Sequence, residues 1–417
     1  MRGRESSVHD EAVAVVDRRL RRLYALAWTV FSAFIPFFVL WLRQRGFSPS
    51  RIGVILSVTA FASVAAAPIW SHAADRRTGT VRALQVAFVS AGVLALGLTT
   101  TGSTLLGVAA VAAALGAAQS PQTPLIDALA VSTLGPSRLH EYGAFRLWAS
   151  LGWGIGAIAF GAVFEALGLG PMLPVYALGV VVTAVYVGRF RSSRPSKEHV
   201  ASPFGSVGDA LAHVPMLAPY LLGVFVFGAS ARAAWDFVPL RIVSGGGGPL
   251  LVGVAAGVSA FVEIPFMRWS SSLLSRVGAR TVFVAGGCVY AAASLGWAVL
   301  EGSLAVTAVR IGLGVGFGLT YVTLVVITGT LVPERLRNTG QTLLQMCSWG
   351  LAPIVGSLAG GFVYQHIGPS QMFLGSAAGI SVGIGVVWAS TRRLGGEPSR
   401  LREQPGAPSQ EQGPPLA

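Results

Sequence analysis

The chain has 417 residues, 53% of them hydrophobic and only 11% charged, with a mean hydropathy of +0.65. Soluble domains carry about 25% charged residues, so soluble enzymes, nucleic-acid binders and secreted disulfide scaffolds are excluded. The formal charge of +13 rests on 29 arginines and one lysine, Lys197, whose placement follows membrane topology.

A helix needs about 20 apolar residues to cross the hydrocarbon core. In chain order the pattern predicts twelve such spans, at 23–42, 51–73, 82–101, 105–132, 145–167, 170–189, 216–242, 250–273, 281–300, 303–331, 340–364 and 370–391. Apolar runs alternate with polar segments and lack the period of two expected of a membrane β-barrel. The fold class expected is an all-α integral membrane bundle of two six-helix halves. Residues 1–22 form a polar N-terminal tail, 23–189 the first half, 190–215 a central loop, 216–391 the second half and 392–417 a disordered tail.

With a cytoplasmic N-terminus, 22 of the 30 basic residues fall on the cytoplasmic side, as the positive-inside rule requires. A multi-pass protein of a bacterial plasma membrane with both termini cytoplasmic is expected. The lipid bilayer is one partner, a small-molecule substrate the other, and nucleic acid is not a partner. Cys288 and Cys347 sit in apolar runs without metal-ligand spacing, and read as small buried hydrophobes. No nucleotide-binding, zinc-site or nucleophile motif occurs. The run Gly245–Gly248 lacks the Lys-Ser/Thr of a phosphate loop. The chain is therefore expected not to be an enzyme, to carry no cofactor, and not to be driven by ATP.

The halves align with each other. Ile52-Gly-Val-Ile-Leu-Ser-Val-Thr-Ala-Phe61 matches Val252-Gly-Val-Ala-Ala-Gly-Val-Ser-Ala-Phe261, and Thr133-Leu-Gly-Pro-Ser-Arg-Leu139 matches Thr330-Leu-Val-Pro-Glu-Arg-Leu336. Ile35-Pro36 and Val238-Pro239 occupy equivalent places. Parallel six-helix repeats are how one large class of secondary transporters encloses a midplane site that opens to each side in turn.

Features present twice read as architecture. Ionisable groups present once do not: Asp127 aligns with Leu324, Arg146 with Leu343, Glu263 with Ser63 and Arg310 with Ala113. Charge within a bilayer costs several kcal/mol and marks function by default. Glu263, about 13 residues into span eight, either gains and loses a proton during transport or is a structural acid, neutral or paired with an arginine. Arg232 and Asp236, four apart on span seven, either act on a solute or neutralise each other. Arg310 either binds a carboxylate substrate, partners Glu263, or snorkels to the interface. Asp127 and Arg146 are expected to pair, unless both sit at the cytoplasmic interface. Gln119 and Gln122 flank Pro121, and either donate to a substrate or satisfy backbone freed at a kink. Trp153 is placed to stack on a ring or to pack.

Over its whole length the chain resembles the major facilitator superfamily. Asp75-Arg-Arg-Thr-Gly79 resembles that superfamily's loop signature, which implies an inward-gating role for Asp75, Arg76 and Arg77. Glu141-Tyr-Gly-Ala-Phe-Arg-Leu-Trp-Ala-Ser-Leu-Gly-Trp153 is similar to the corresponding segment of the phenylpropionate permease and lactose permease relatives. Ala260-Phe-Val-Glu-Ile-Pro-Phe266 and Arg335-Leu-Arg-Asn-Thr-Gly-Gln341 resemble segments of the phenylpropionate group. The likeness to lactose permease implies solute contacts for Arg146 and Trp153, and a partnering carboxylate at Asp127. Those relatives place a proton-handling histidine in span ten. Here that stretch reads Ile311-Gly-Leu-Gly-Val-Gly-Phe-Gly318, so coupling falls to Glu263 or Asp236.

A proton symporter of an aromatic carboxylate or sugar-like solute, working as a monomer, is the expected function. Its binding residues are Gln119, Gln122, Asp127, Arg146, Trp153 and Arg310. The alternatives are a proton-driven exporter of a drug or secondary metabolite and, from another class, a sensing scaffold without transport.

Overall fold

The structure is a computed structural model and describes residues 2–74, 78–190, 208 and 210–392. Among these it contains helices and turns and no strand. Ten helices are long and apolar enough to cross a membrane, and Met172–Val187 is a shorter apolar helix. The first span completes twelve, and it is the one broken in two. The helix Arg2–Ser32 gives way to a turn, and Phe38–Gln44 resumes it. Pro36 explains the break, because it has no N–H to donate and its ring crowds the carbonyl one turn back. This helix includes residues 2–22 of the expected polar tail.

Two other spans depart from plain helices for the same reason. Span four comprises Leu105–Gln119 and Gln122–Leu134, joined at Ser120-Pro121. The Ala117 carbonyl, whose helical partner would be the missing N–H of Pro121, accepts from Trp70 Nε1 at 2.9 Å and from Ser120 Oγ at 2.9 Å. Span eleven is Arg337–Gln345, a π-helical turn at Met346–Leu351, then Ala352–His366 with Pro353 in its first turn. A π-turn is the usual accommodation of an extra residue, and such turns recur at functional sites.

The remaining spans are two Pro49–Ala73, three Thr80–Thr100, five Tyr142–Leu167, six Met172–Val187, seven Leu217–Ser244, eight Pro249–Val277, nine Ala279–Val299, ten Ser303–Leu331 and twelve Pro369–Ser390. An even number of crossings places both described ends, Arg2 and Arg392, on one face, here called the terminal face.

The halves meet along two seams, span two on span eleven and span five on span eight. On the first seam the contacts run from Ser50–Gln365 at the far face through Ser57–Ile354 to Val64–Gly350. On the second they run from Glu165–Leu250 through Gly154–Phe261 to Ser150–Glu263. Toward the terminal face, Ile69 of span two and Trp269 of span eight are exposed. The seam contacts thus close the molecule at the far face, and the cavity between the halves extends toward the terminal face. Cys288 lies exposed on the outside of the bundle and Cys347 is half-buried, contrary to the burial expected of both.

Candidate functional site

Two adjoining cavities of about 320 Å³ and 250 Å³ lie between the halves. Both are lined by Ile35, Trp153, Arg232 and Trp235. The larger, toward the terminal face, is walled by aromatic side chains of the second half, Tyr290, Phe317, Tyr321 and Trp349. The smaller, deeper one carries polarity from both halves in Thr59, Gln119, Arg232, Asp236 and Arg310. Volumes of this order, with apolar walls and few polar groups, suit a small organic ligand.

Arg310 is 5% exposed and does not snorkel to an interface. Its guanidinium lies over the Trp235 ring, 3.7 Å from the centroid, and Nη1 donates to Ser259 Oγ at 3.2 Å. The ion pairs among the described residues include Arg138–Asp17, Arg138–Glu141 and Arg232–Asp236, and Arg310 takes part in none of them. No carboxylate therefore neutralises Arg310 at contact distance. The aromatic face and the Ser259 hydroxyl hold the fork in place while leaving its charge available to the cavity.

Arg232 and Asp236 do neutralise each other. Arg232 Nε lies 2.8 and 2.9 Å from the two carboxylate oxygens, as their spacing of four along span seven allows. Ser357 of span eleven donates a further bond of 2.6 Å to Asp236 Oδ2. Asp236 is 5% exposed and saturated, whereas Arg232 keeps a third of its side chain open to the cavity. Asp236 thus orients Arg232 more than it offers a free acid.

Glu263 sits on the seam between spans five and eight. Ser150 Oγ, from the opposite half, donates to Glu263 Oε1 at 3.1 Å. Arg146 and Arg310 lie near enough to act on it electrostatically, one from each half. Gly314 and Gly318 let span ten pack directly against the Glu263 backbone, where a Cβ on either glycine would meet it at 3.0–3.1 Å.

The expected pair of Asp127 with Arg146 is not formed. Asp127 Oδ1 accepts from Tyr24 Oη at 2.7 Å, and the Arg146 guanidinium lies over the Trp28 ring at 4.5 Å. A tyrosine and a tryptophan of span one separate the two charges, a tie no spacing in the sequence signals. Neither residue lines the two cavities.

Of the two glutamines, Gln119 lines the deep cavity and donates to Tyr176 Oη at 2.7 Å. Gln122 does not reach it. It is 1% exposed, and its amide donates to the carbonyls of Ala87 at 3.3 Å and Ala118 at 3.5 Å. Gln122 is a kink residue, a correction to the binding role expected of it. Its amide is taken up by the carbonyls of span three and of the turn before Pro121 instead of by the cavity. Trp153 stands where both cavities meet. Asp75, Arg76 and Arg77, expected to gate the inner face, lie outside the described residues.

Sequence reasoning missed Trp235, Tyr321 and Trp349, whose aromatic character is unremarkable in an apolar chain. It also missed Ser348, a residue of the larger cavity's wall whose hydroxyl is buried with no hydrogen-bond partner. The available signal was Trp235 beside the Arg232–Asp236 pair and Pro353 four residues after Trp349. Among the described residues no cluster of His, Cys, Asp and Glu can hold a metal ion.

Two pseudo-symmetric six-helix halves enclosing a midplane cavity open to one face define a membrane transporter of the alternating-access class. The chain belongs to the MFS_1 like family, which matches it over residues 18–375. It is 27% identical to the maltose permease of Geobacillus stearothermophilus over 381 residues, covering 90% of this chain and 95% of that protein. An uncharacterized transporter of Bacillus subtilis (strain 168), YwbF, is 22% identical over 85% of this chain and 88% of its own. Among solved structures the nucleoside transporter NupG superposes with a TM-score of 0.78 at 16% identity, covering 90% of this chain and 99% of that one. A POT family transporter in complex with a thioalcohol-conjugated peptide gives 0.70 at 12% identity, over 91% and 96%. The protein is a multi-pass membrane transporter of a small molecule, working in a lipid environment, and not an enzyme.

Proposed function

We propose that the protein is a proton-coupled importer of a small organic solute, carrying it across a bacterial plasma membrane as a monomer with both termini cytoplasmic. The solute presents a hydroxyl-rich or carboxylate-bearing end to the deep cavity and a flatter face to the aromatic one. The observation that carries this reading is Arg310, a buried guanidinium against Trp235 with no carboxylate in contact among the described residues. An uncompensated buried cation is costly, and a ligand's oxygens repay it.

Trp153 and Trp235 at the junction suit stacking on a ring. The 27% likeness to a maltose permease supports a sugar-like solute, while Arg310 supports an acidic one. Glu263 is the proposed proton carrier. It bridges the halves through Ser150 and has no ion pair of its own, whereas Asp236 is engaged by Arg232 and Ser357. The halves 23–189 and 216–391 move as bodies about this site.

The test is whole-cell accumulation of labelled maltose, a galactoside, 3-phenylpropionate and a nucleoside, with and without a protonophore. Accumulation of one class that collapses with protonophore is expected. Accumulation that rises with protonophore would replace import with export.

A further inference from the structure

At the far face the two seams end in the same device, repeated. Span eight begins Gly248-Pro249-Leu250, and Pro249 has no N–H, so Leu250 presents the first free amide of the helix. That amide donates to Glu165 Oε2, at the end of span five in the other half, at 3.0 Å. Span two begins Ser48-Pro49-Ser50, and the Ser50 amide donates to Gln365 Oε1, at the end of span eleven in the other half, at 3.0 Å. Ser50 and Leu250 are 200 residues apart, as are Glu165 and Gln365.

The packing beneath each cap repeats with the same offset. A Cβ on Gly53 would come within 2.5 Å of the Ser357 carbonyl and 3.2 Å of Gly361 Cα. One on Gly253 would strike the Ala157 carbonyl and come within 2.9 Å of Gly161 Cα. The glycines let helices of opposite halves touch backbone to backbone, which brings each cap within reach of its amide. Gly248 serves its cap directly, since a Cβ there would overlap the Glu165 carboxylate.

We propose that Glu165 and Gln365 are a reciprocal pair of gating residues, each capping a helix of the opposite half, and that together they bias the resting transporter toward the state closed at the far face. The caps join halves that must part when the site opens to that face, so both bonds break in every transport cycle. They are also solvent-exposed, so water replaces them on opening and the bias they impose is small enough to be reversed by a solute. The pair is unequal. Glu165 brings a negative charge to the positive end of a helix, which the neutral Gln365 does not. Glu165 is therefore the stronger of the two. The inference rests on the fold and its two seams and holds whichever solute is carried.

The experiment uses the full chain in nanodiscs, with Cys288→Ser and Cys347→Ser, and spin labels on Leu167→Cys and Leu304→Cys. These positions are exposed, at the far face and on opposite halves. The ratio of long to short label distances reports opening there. Glu165→Ala should raise that ratio several-fold, Gln365→Ala by less, and the double variant by about tenfold. Gln365→Glu, which adds charge at the second helix end and leaves the packing intact, should lower it. A merely structural role would lower the melting temperature of the alanine variants and leave the ratio unchanged. An unchanged ratio in both the double variant and Gln365→Glu overturns the proposal.

Discussion

Replacing Arg310 by glutamine removes the only buried cation of the deep cavity that has no carboxylate in contact among the described residues. The side chain loses its charge and its place over Trp235, and keeps a polar group of similar reach toward Ser259. A hydrogen bond from a charged donor is worth about 1.5–3 kcal/mol, and stripping one partner from a buried charge pair costs about 2–5 kcal/mol. At about 1.4 kcal/mol per decade, a hydroxyl-rich solute should lose roughly tenfold in apparent affinity and a carboxylate solute roughly 100- to 1,000-fold. Arg310→Lys keeps the charge but loses the planar fork, and should fall between wild type and Arg310→Gln. Stability should change little, because the lost cation–π contact, about 2 kcal/mol when desolvated, is offset by relief of the buried charge. Concentration-dependent uptake of the accumulated solute, normalised to protein in the membrane, measures this. A KM for Arg310→Gln within about threefold of wild type would refute the reasoning, since the charge would then face no solute group.

Three further outcomes follow from the same geometry. Asp236→Asn removes the charge that orients Arg232 and accepts from Ser357. A melting temperature lower by a few degrees and weaker uptake are expected, softened because Arg232 is one-third exposed and can be screened. Gln122→Ala should destabilise the kink at Pro121 by about 1–3 kcal/mol while leaving relative uptake of different solutes unaltered. A changed solute preference would return Gln122 to the binding site. In the loop before span five, the Arg138 fork beside Glu141 holds that carboxyl below its ordinary value. A carboxyl so lowered contributes stability above its unfolded pKa, and that contribution is lost as pH falls through the folded value. Melting curves taken downward from about pH 5 should thus separate Arg138→Ala from wild type least at the acid end. A gap that widens on acidification contradicts the tie.

The sequence carried the architecture well because a membrane imposes length and period together. Twelve spans, their pairing into halves and the offset of 200 between Gly53 and Gly253 all follow from apolar runs and self-similarity. It carried less wherever proline rewrote a helix. Pro36 breaks span one, yet its repeat partner Pro239 sits inside an unbroken helix, so the same residue type gave two outcomes set by packing. The unrepeated charges led to Arg310, which lines the deep cavity, and to Glu263, which meets Ser150 across a seam, because the cost of a membrane charge is independent of fold detail. They misled at Asp127 and Arg146, whose actual partners, Tyr24 and Trp28, come from a span more than a hundred residues away. Gln122 was ambiguous by nature, since a kink and a binding site ask for the same amide. Trp349 of the aromatic wall lies in a π-turn that no periodicity in span eleven announces.

Coupling is the central claim, and Glu263 carries it. The direct measurement is solute accumulation in proteoliposomes, driven by an imposed pH gradient with the acid side outside, for wild type and Glu263→Gln, alongside solute exchange at equal pH. The account predicts uphill accumulation for wild type, its loss in Glu263→Gln, and exchange retained in both, because the substitution leaves the cavity and its Arg310 in place. Uphill accumulation that persists in Glu263→Gln would show that the proton travels elsewhere.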